Sequence, residues 1–214
     1  MSAIPALSPR KHPFLLPTEA LAQAVGGEWK GRKRFDSKIM PLTAIAFTAL
    51  DVVAENRGKM VEAMLAYAET DLLLYRSETP ELLRRQQEAW DPVLAWADAR
   101  YEISVKVTQG VMPVEQARHT LNVLRRAVEA LDDFALAAFS VLTRGFGSCL
   151  LALAVSEGQL ESRDAFALSR VDEDYQAELW GEDSVMLGRA REIERDVCAA
   201  AEFLRLLEKS QRYY

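Results

Sequence analysis

Asp172, Glu173 and Asp174 are the residues whose type and spacing point most directly to chemistry. Three consecutive acids on a helix project about 100° apart, so they cannot all face a core. At least one must be exposed, and Glu173 is best placed to be. Ala165, Leu168, Asp172, Tyr175 and Leu179 are spaced three, four, three and four, which puts them on one stripe of a helix expected over residues 162–181. An acid on such a stripe needs an internal partner, a water-filled edge or another protein. For Asp172 three readings stand: contact with a partner, an internal pair with Arg144, or plain solvent exposure. Gln176 lies on the same helix, and Trp180 beside Gly181 is either a C-terminal staple or an exposed aromatic anchor. Arg144 is the one charge within the most apolar segment, residues 134–155. Removing one partner of a buried ion pair costs about 3–5 kcal/mol, so an acid, Asp172 or Asp71, is expected beside it.

Catalytic patterns are missing. The only histidines are His12 and His119, and paired Glu-x-x-His motifs of a di-metal bundle are absent. There is no glycine-rich phosphate loop, GxSxG elbow or HExxH. Carboxylate pairs carry little weight in a chain with 32 acids. Cys149 and Cys198 lie in apolar helical patterns outside any CxxC and read as buried free thiols. No metal and no cofactor are expected.

The elements that position these residues follow from periodicity and punctuation. Residues 14–16 could form a short strand, and Thr18 caps a short helix ended by Gly26-Gly27. Glu28 and Trp29 follow, then a basic run over residues 30–38 that reads as a solvated loop. Pro41 opens a helix to about Glu55, and Val61, Met64, Leu65, Ala68 and Leu72 mark the next. Asp71, Tyr75 and Arg76 are expected to form a structural polar network. Thr79-Pro80 opens a helix toward Trp90; Asp91-Pro92 is expected to end it and start another, with Trp90 in the core. Residues 103–108 alternate apolar and polar, the one convincing strand, and a lone strand must pair, here with residues 14–16. Pro113 opens a long helix to Leu131, residues 134–155 form a central apolar helix, and the last helix runs over about residues 183–209. Gly145-Phe146-Gly147 follows no strand and reads as a close helix contact.

With 214 residues the chain can bury roughly 70% of the surface its unfolded form exposes. Half the residues are hydrophobic and 27% are charged, which fits a globular protein. A net charge of −6 argues against nucleic acid as a partner. Arg144, Gly145 and Gly147 at the centre of the apolar segment favour a bundle core over a membrane span. No secretory signal is visible at the start.

Several strings in order resemble one family. They are Leu16-Pro17-Thr18 with Ala20-Leu21-Ala22; Glu28-Trp29; Met40-Pro41-Leu42-Thr43 with Thr48-Ala49-Leu50-Asp51; Thr70-Asp71 with Tyr75-Arg76; Gln87 with Trp90-Asp91-Pro92 and Trp96; and Ser169-Arg170 through Asp172-Glu173, Tyr175-Gln176 and Trp180-Gly181. Together they are similar to the Atp12 family, assembly chaperones of the F1 sector of ATP synthase. The resemblance covers about residues 14–190.

That resemblance implies a non-enzymatic chaperone that binds the free F1 α subunit and shields the surface that later meets β. It implies a mainly α fold: an orthogonal helical bundle at residues 41–214 with a small, here reduced, N-terminal α/β domain at residues 1–40. The family's important acid after the Ser-Arg string looks like Asp172, with Glu173 beside it. Partner contact is expected from Asp172, Glu173, Asp174, Gln176 and Trp180. A structural role is expected for Glu28, Trp29, Asp71, Tyr75, Arg76, Trp90, Asp91 and Arg144. Family members carry a longer region ahead of the Leu-Pro-Thr string and a Gln-rich stretch where this chain is basic. The expectation is a cytoplasmic bacterial monomer, or a mitochondrial matrix protein if eukaryotic. Two alternatives stay open: a helical interaction module with another partner, and an enzyme with an unrecognised site.

Overall fold

The computed structural model describes residues 6–181 and 183–208. It is mainly helical, as the periodicity predicts, with one very small parallel sheet. The described residues open with a tight antiparallel turn that bridges Leu7 and Pro13. This turn is fastened to Asp51, a residue only 5% exposed. Asp51 accepts hydrogen bonds from the Ser8 hydroxyl, the Arg10 amide at 3.1 Å and the His12 imidazole at 2.9 Å.

Helix α1 (Glu19–Trp29) is capped by Thr18, whose hydroxyl accepts from the Leu21 amide at 3.1 Å and donates to the Leu206 carbonyl at 2.8 Å. The helix runs through Gly26-Gly27 rather than stopping there. It thereby delivers Glu28 to the start of α2 (Pro41–Thr48), where Met40 offers no side-chain cap. The Glu28 carboxylate accepts from the Leu42 and Thr43 amides at 2.9 and 2.8 Å and from the Thr43 hydroxyl at 2.7 Å. An acid at a helix N-terminus satisfies orphan N–H groups and opposes the positive end of the macrodipole. Trp29 packs against the core with its indole N–H buried and unpartnered among the described residues.

A π-helical turn (Ala49–Val53) joins α2 to α3 (Ala54–Glu69), and a 3-10 turn (Leu72–Leu74) leads into β1 (Tyr75–Arg76). Helix α4 (Pro80–Tyr101) passes straight through Pro92, where a helix end was expected. An interior proline costs about 3 kcal/mol. Burial of Trp90, Val93, Leu94 and Ala97 on one face offsets that cost.

The expected strand at residues 103–108 does not pair with residues 14–16. Only β2 (Thr108–Gln109) enters a sheet, parallel to β1, with Tyr75 opposite Thr108 and Arg76 opposite Gln109. Residues ahead of it find their hydrogen bonds elsewhere. The Gln116 side-chain amide accepts from the Lys106 amide and donates to the Lys106 carbonyl, both at 2.9 Å, as a neighbouring strand would. Because Gln116 is held there, α5 (Arg118–Glu129) starts five residues later than Pro113 predicted.

The long apolar segment is two helices, α6 (Asp133–Phe146) and α7 (Cys149–Ser156). Gly147, at φ 65°, ends the first in the left-handed region that glycine adopts without strain. Ser148 caps the second, accepting from Leu151 at 3.0 Å. Gly145 permits a close approach of α6 to α10 (Ser184–Glu208): a Cβ there would lie 2.4 Å from Val197 Cγ1. The helix expected over residues 162–181 is also broken, into α8 (Ser162–Leu168) and α9 (Val171–Trp180). The Leu168 carbonyl, needed to continue the helix, instead accepts the Trp90 indole N–H at 2.8 Å. Among the described residues, no helix is long and apolar enough to cross a membrane.

Candidate functional site

The break after α8 sets α9 against α4. The helix has no fully buried residue, so it is a surface element laid over the bundle. Asp172 is half-buried and accepts the Gln86 side-chain N–H at 2.7 Å. Gln86 is 2% exposed, and its carbonyl oxygen accepts the Ser77 amide at 2.7 Å. The inner partner of Asp172 is thus an amide on α4. The expected pairing with Arg144 does not occur. The sequence signal for Gln86 is faint: it is the polar member of a buried α4 face formed with Leu82, Trp90 and Ala97 at helical spacing.

Arg144 corrects a second expectation. It is exposed, and its guanidinium donates to the Ser140 carbonyl at 3.0 Å and the Ser140 hydroxyl at 3.3 Å. Among the described residues no acid lies within ion-pair distance of it. The reason is geometric: even this apolar helix keeps a narrow outward stripe, with Val141 half-buried and Arg144 exposed, where a charge can reach water.

Two of the expected structural residues back onto this surface. Asp71 is fully buried and joins the 3-10 turn to α7, accepting from the Leu73 amide at 3.1 Å and the Leu150 amide at 3.0 Å. Burial pushes its carboxyl up to about 6, while the hydrogen bonds hold it from rising further. Arg76 is 6% exposed. It donates to Asp91 at 2.7 Å and to the Leu73 carbonyl at 3.0 Å, and lies 5.0 Å from the centre of the Trp90 ring. Burial pushes the Arg76 guanidinium down and Asp91 opposes the shift. Asp71 and Arg76 therefore meet only through the backbone of Leu73. Tyr75 is half-buried between two openings described below.

The outer face of α9 is different in kind. Glu173, Asp174 and Gln176 are exposed. Asp174 sits 3.3 Å from Arg170, and Glu178 takes Arg85 of α4 at 2.8 Å, with the same guanidinium 5.2 Å from the Tyr175 ring. Trp180 is 77% exposed, and beside it Leu179, Val185 and Met186 are each more than half exposed. Trp180, Met186 and Leu187 line a hollow of about 230 Å³ between α9 and α10, with Glu173, Asp174 and Asp183 also lining it. A second opening, about 430 Å³, is lined by Tyr75, Arg76, Glu78, Gln86 and Asp172. Trp180, Leu179, Val185 and Met186 thus form an exposed apolar patch with acids at its edge. Among the described residues, no group of three His, Cys, Asp or Glu side chains is placed to hold a metal ion.

Comparison with known proteins gives the surface a context. A family model described as "ATP12 chaperone protein" matches residues 5–98. The crystal structure of Atp12 from Paracoccus denitrificans matches with a TM-score of 0.91 at 39% identity, covering 95% of this chain and 88% of that one. A variant of that protein with an aspartate replaced by lysine matches at a TM-score of 0.90 and 38% identity, over 95% and 88% of the two chains. The Agrobacterium tumefaciens protein Atu1473 matches at 0.89 and 36% identity, over 94% of this chain and 76% of that one. The mitochondrial protein atp12 of Schizosaccharomyces pombe is 24% identical over 175 residues, 76% of this chain. The chain spans 60% of the length of that curated relative.

Proposed function

Because the chain belongs to the ATP12 chaperone family, we propose that it binds the free α subunit of the F1 sector of ATP synthase and prevents its aggregation until α pairs with β. The observation that carries this reading is the outer face of α9, where exposed acids surround Trp180, Leu179 and Met186. The surface α buries against β is by nature apolar and aggregation-prone when free. Trp180 and its neighbours supply apolar contact area, while Glu173, Asp174 and Gln176 steer encounter and set orientation. Binding must end when β arrives, which suits a modest patch and not a permanent interface. No chemical step is needed, so the reading is of a chaperone without catalysis. It would act as a monomer in the bacterial cytoplasm, or in the mitochondrial matrix of a eukaryote.

Co-expression with F1 α tests this. The wild type should keep α soluble and co-purify with it. Glu173→Lys and Trp180→Ala should lose capture, with circular dichroism and melting temperature nearly unchanged, because both side chains are exposed. Asp172→Lys is a different experiment: it strands the buried Gln86 amide, so binding and about 1–3 kcal/mol of stability should fall together. Capture of α by Glu173→Lys and Trp180→Ala at wild-type level would remove α9 from the interface.

A further inference from the structure

A cavity of about 420 Å³ shares Tyr75 with one of the openings beside α9 and Arg170 and Glu173 with the other. Its walls mix the apolar surface of Phe166 and Ile193 with two guanidinium groups, those of Arg144 and Arg170. Arg170 is largely engaged: it lies 3.3 Å from Asp174 and 5.8 Å from the Phe166 ring centre. Arg144 is not. A guanidinium has five N–H donors in a planar fork, and Ser140 occupies two of them. Ser140 is itself fully buried and fixed to the Ala137 carbonyl at 2.8 Å, so the fork is held in place before anything binds. A pre-oriented arginine in a partly apolar cavity, with no acid at ion-pair distance among the described residues, matches the bidentate geometry of a carboxylate.

We propose that this cavity receives an aspartate or glutamate side chain of the client protein, gripped by Arg144, while the acids of α9 meet basic side chains around it. The inference rests on the chaperone reading and adds the chemistry of a second contact. The surface would then read a client by a pattern of both signs and not by apolar area alone. Glu173 is the one acid in the cavity wall, with Asp174 already neutralising Arg170.

The test compares wild type with Arg144→Gln, Arg144→Lys and Arg144→Glu, each measured for affinity toward F1 α and for thermal melting alone. Melting should be near wild type in all, since Arg144 is exposed. Arg144→Gln should bind about tenfold more weakly, the loss expected for one charge-assisted contact. Arg144→Lys should retain part of the affinity through its charge, and Arg144→Glu should abolish capture. Equal capture by all four overturns the proposal and leaves the chaperone reading intact. Failure of the wild type to capture α overturns both. Loss of binding together with a large drop in melting temperature, Arg144→Lys included, makes Arg144 structural. Coupling between Arg144 and Glu173 in a double-mutant cycle on the free chain would make Glu173 the occupant, and this too overturns the proposal.

Discussion

The two kinds of acid in this molecule differ in what holds them. Asp71 lies in the interior among backbone amides, whereas Glu173 lies in water. Because burial raises the Asp71 carboxyl from 3.8 to about 6, the folded chain holds that proton more firmly than the unfolded chain between those values. The stability it contributes is therefore fully present below about pH 4 and lost as pH rises through about 6. Asp71→Asn should cost about 1–3 kcal/mol, since its NH₂ group cannot accept from an amide. The gap between wild type and Asp71→Asn should narrow from pH 4 to pH 7, as measured by denaturant melts at each pH. A gap that widens over that range would mean the carboxyl is already ionised at pH 4. That Trp90 would be in the core was legible from its place in an apolar pattern, whereas Asp71 and Arg76 were legible only as polar residues expected to share a network. The isolation of Arg144 was not, because hydropathy averages around a helix and conceals a stripe two or three residues wide.

At the scale of elements, the sequence misleads where a side chain replaces a backbone partner. The Trp90 indole takes the carbonyl that would have joined α8 to α9, and the Gln116 amide stands in for a strand beside Lys106. Neither substitution has a local signature, since the partners lie 78 and 10 residues apart. Pro92 misleads in the other direction: its usual effect on a helix yields to the buried face around it. The close-contact reading of the glycines holds for Gly145, not for Gly147, which ends α6. Gly145→Ala would place a methyl group 2.4 Å from Val197 Cγ1, and Val197 is fully buried in α10. Overpacking of this kind costs about 1–3 kcal/mol, less the helix preference of alanine over glycine. For a chain of this size each kcal/mol lowers the melting temperature by about 2–4 °C, so calorimetry should resolve the drop. Val197→Ala in the same chain should recover part of it. An unchanged melting temperature in Gly145→Ala would show that the two helices can move apart freely.

For the molecule as a whole, the mainly helical class was readable from periodicity, and the family from a sequence of short strings spread over most of the chain. That Glu173 of α9 would be exposed was readable from the helical projection of three consecutive acids, whereas Trp180 stayed open between a staple and an exposed anchor. The cavity beside them was not readable, because Tyr75, Arg144 and Arg170 come from three separated segments that only the completed fold brings together. Helix α10 closes that fold. It packs along α6, stacks Phe203 on Phe134 with ring centres 6.5 Å apart, and receives the Thr18 hydroxyl at Leu206. A chain ending before residue 184 should therefore expose the apolar face of α6 and be cut rapidly by protease, while the full chain resists; equal resistance would show that α10 is dispensable. The bond from Thr18 to Leu206 spans 188 residues, and it gives the molecule an order of birth. The cap of α1 leaves the ribosome 188 residues ahead of its acceptor. Until those residues are made, the Thr18 hydroxyl that caps α1 lacks the carbonyl it donates to, so the first helix is anchored only once α10 exists.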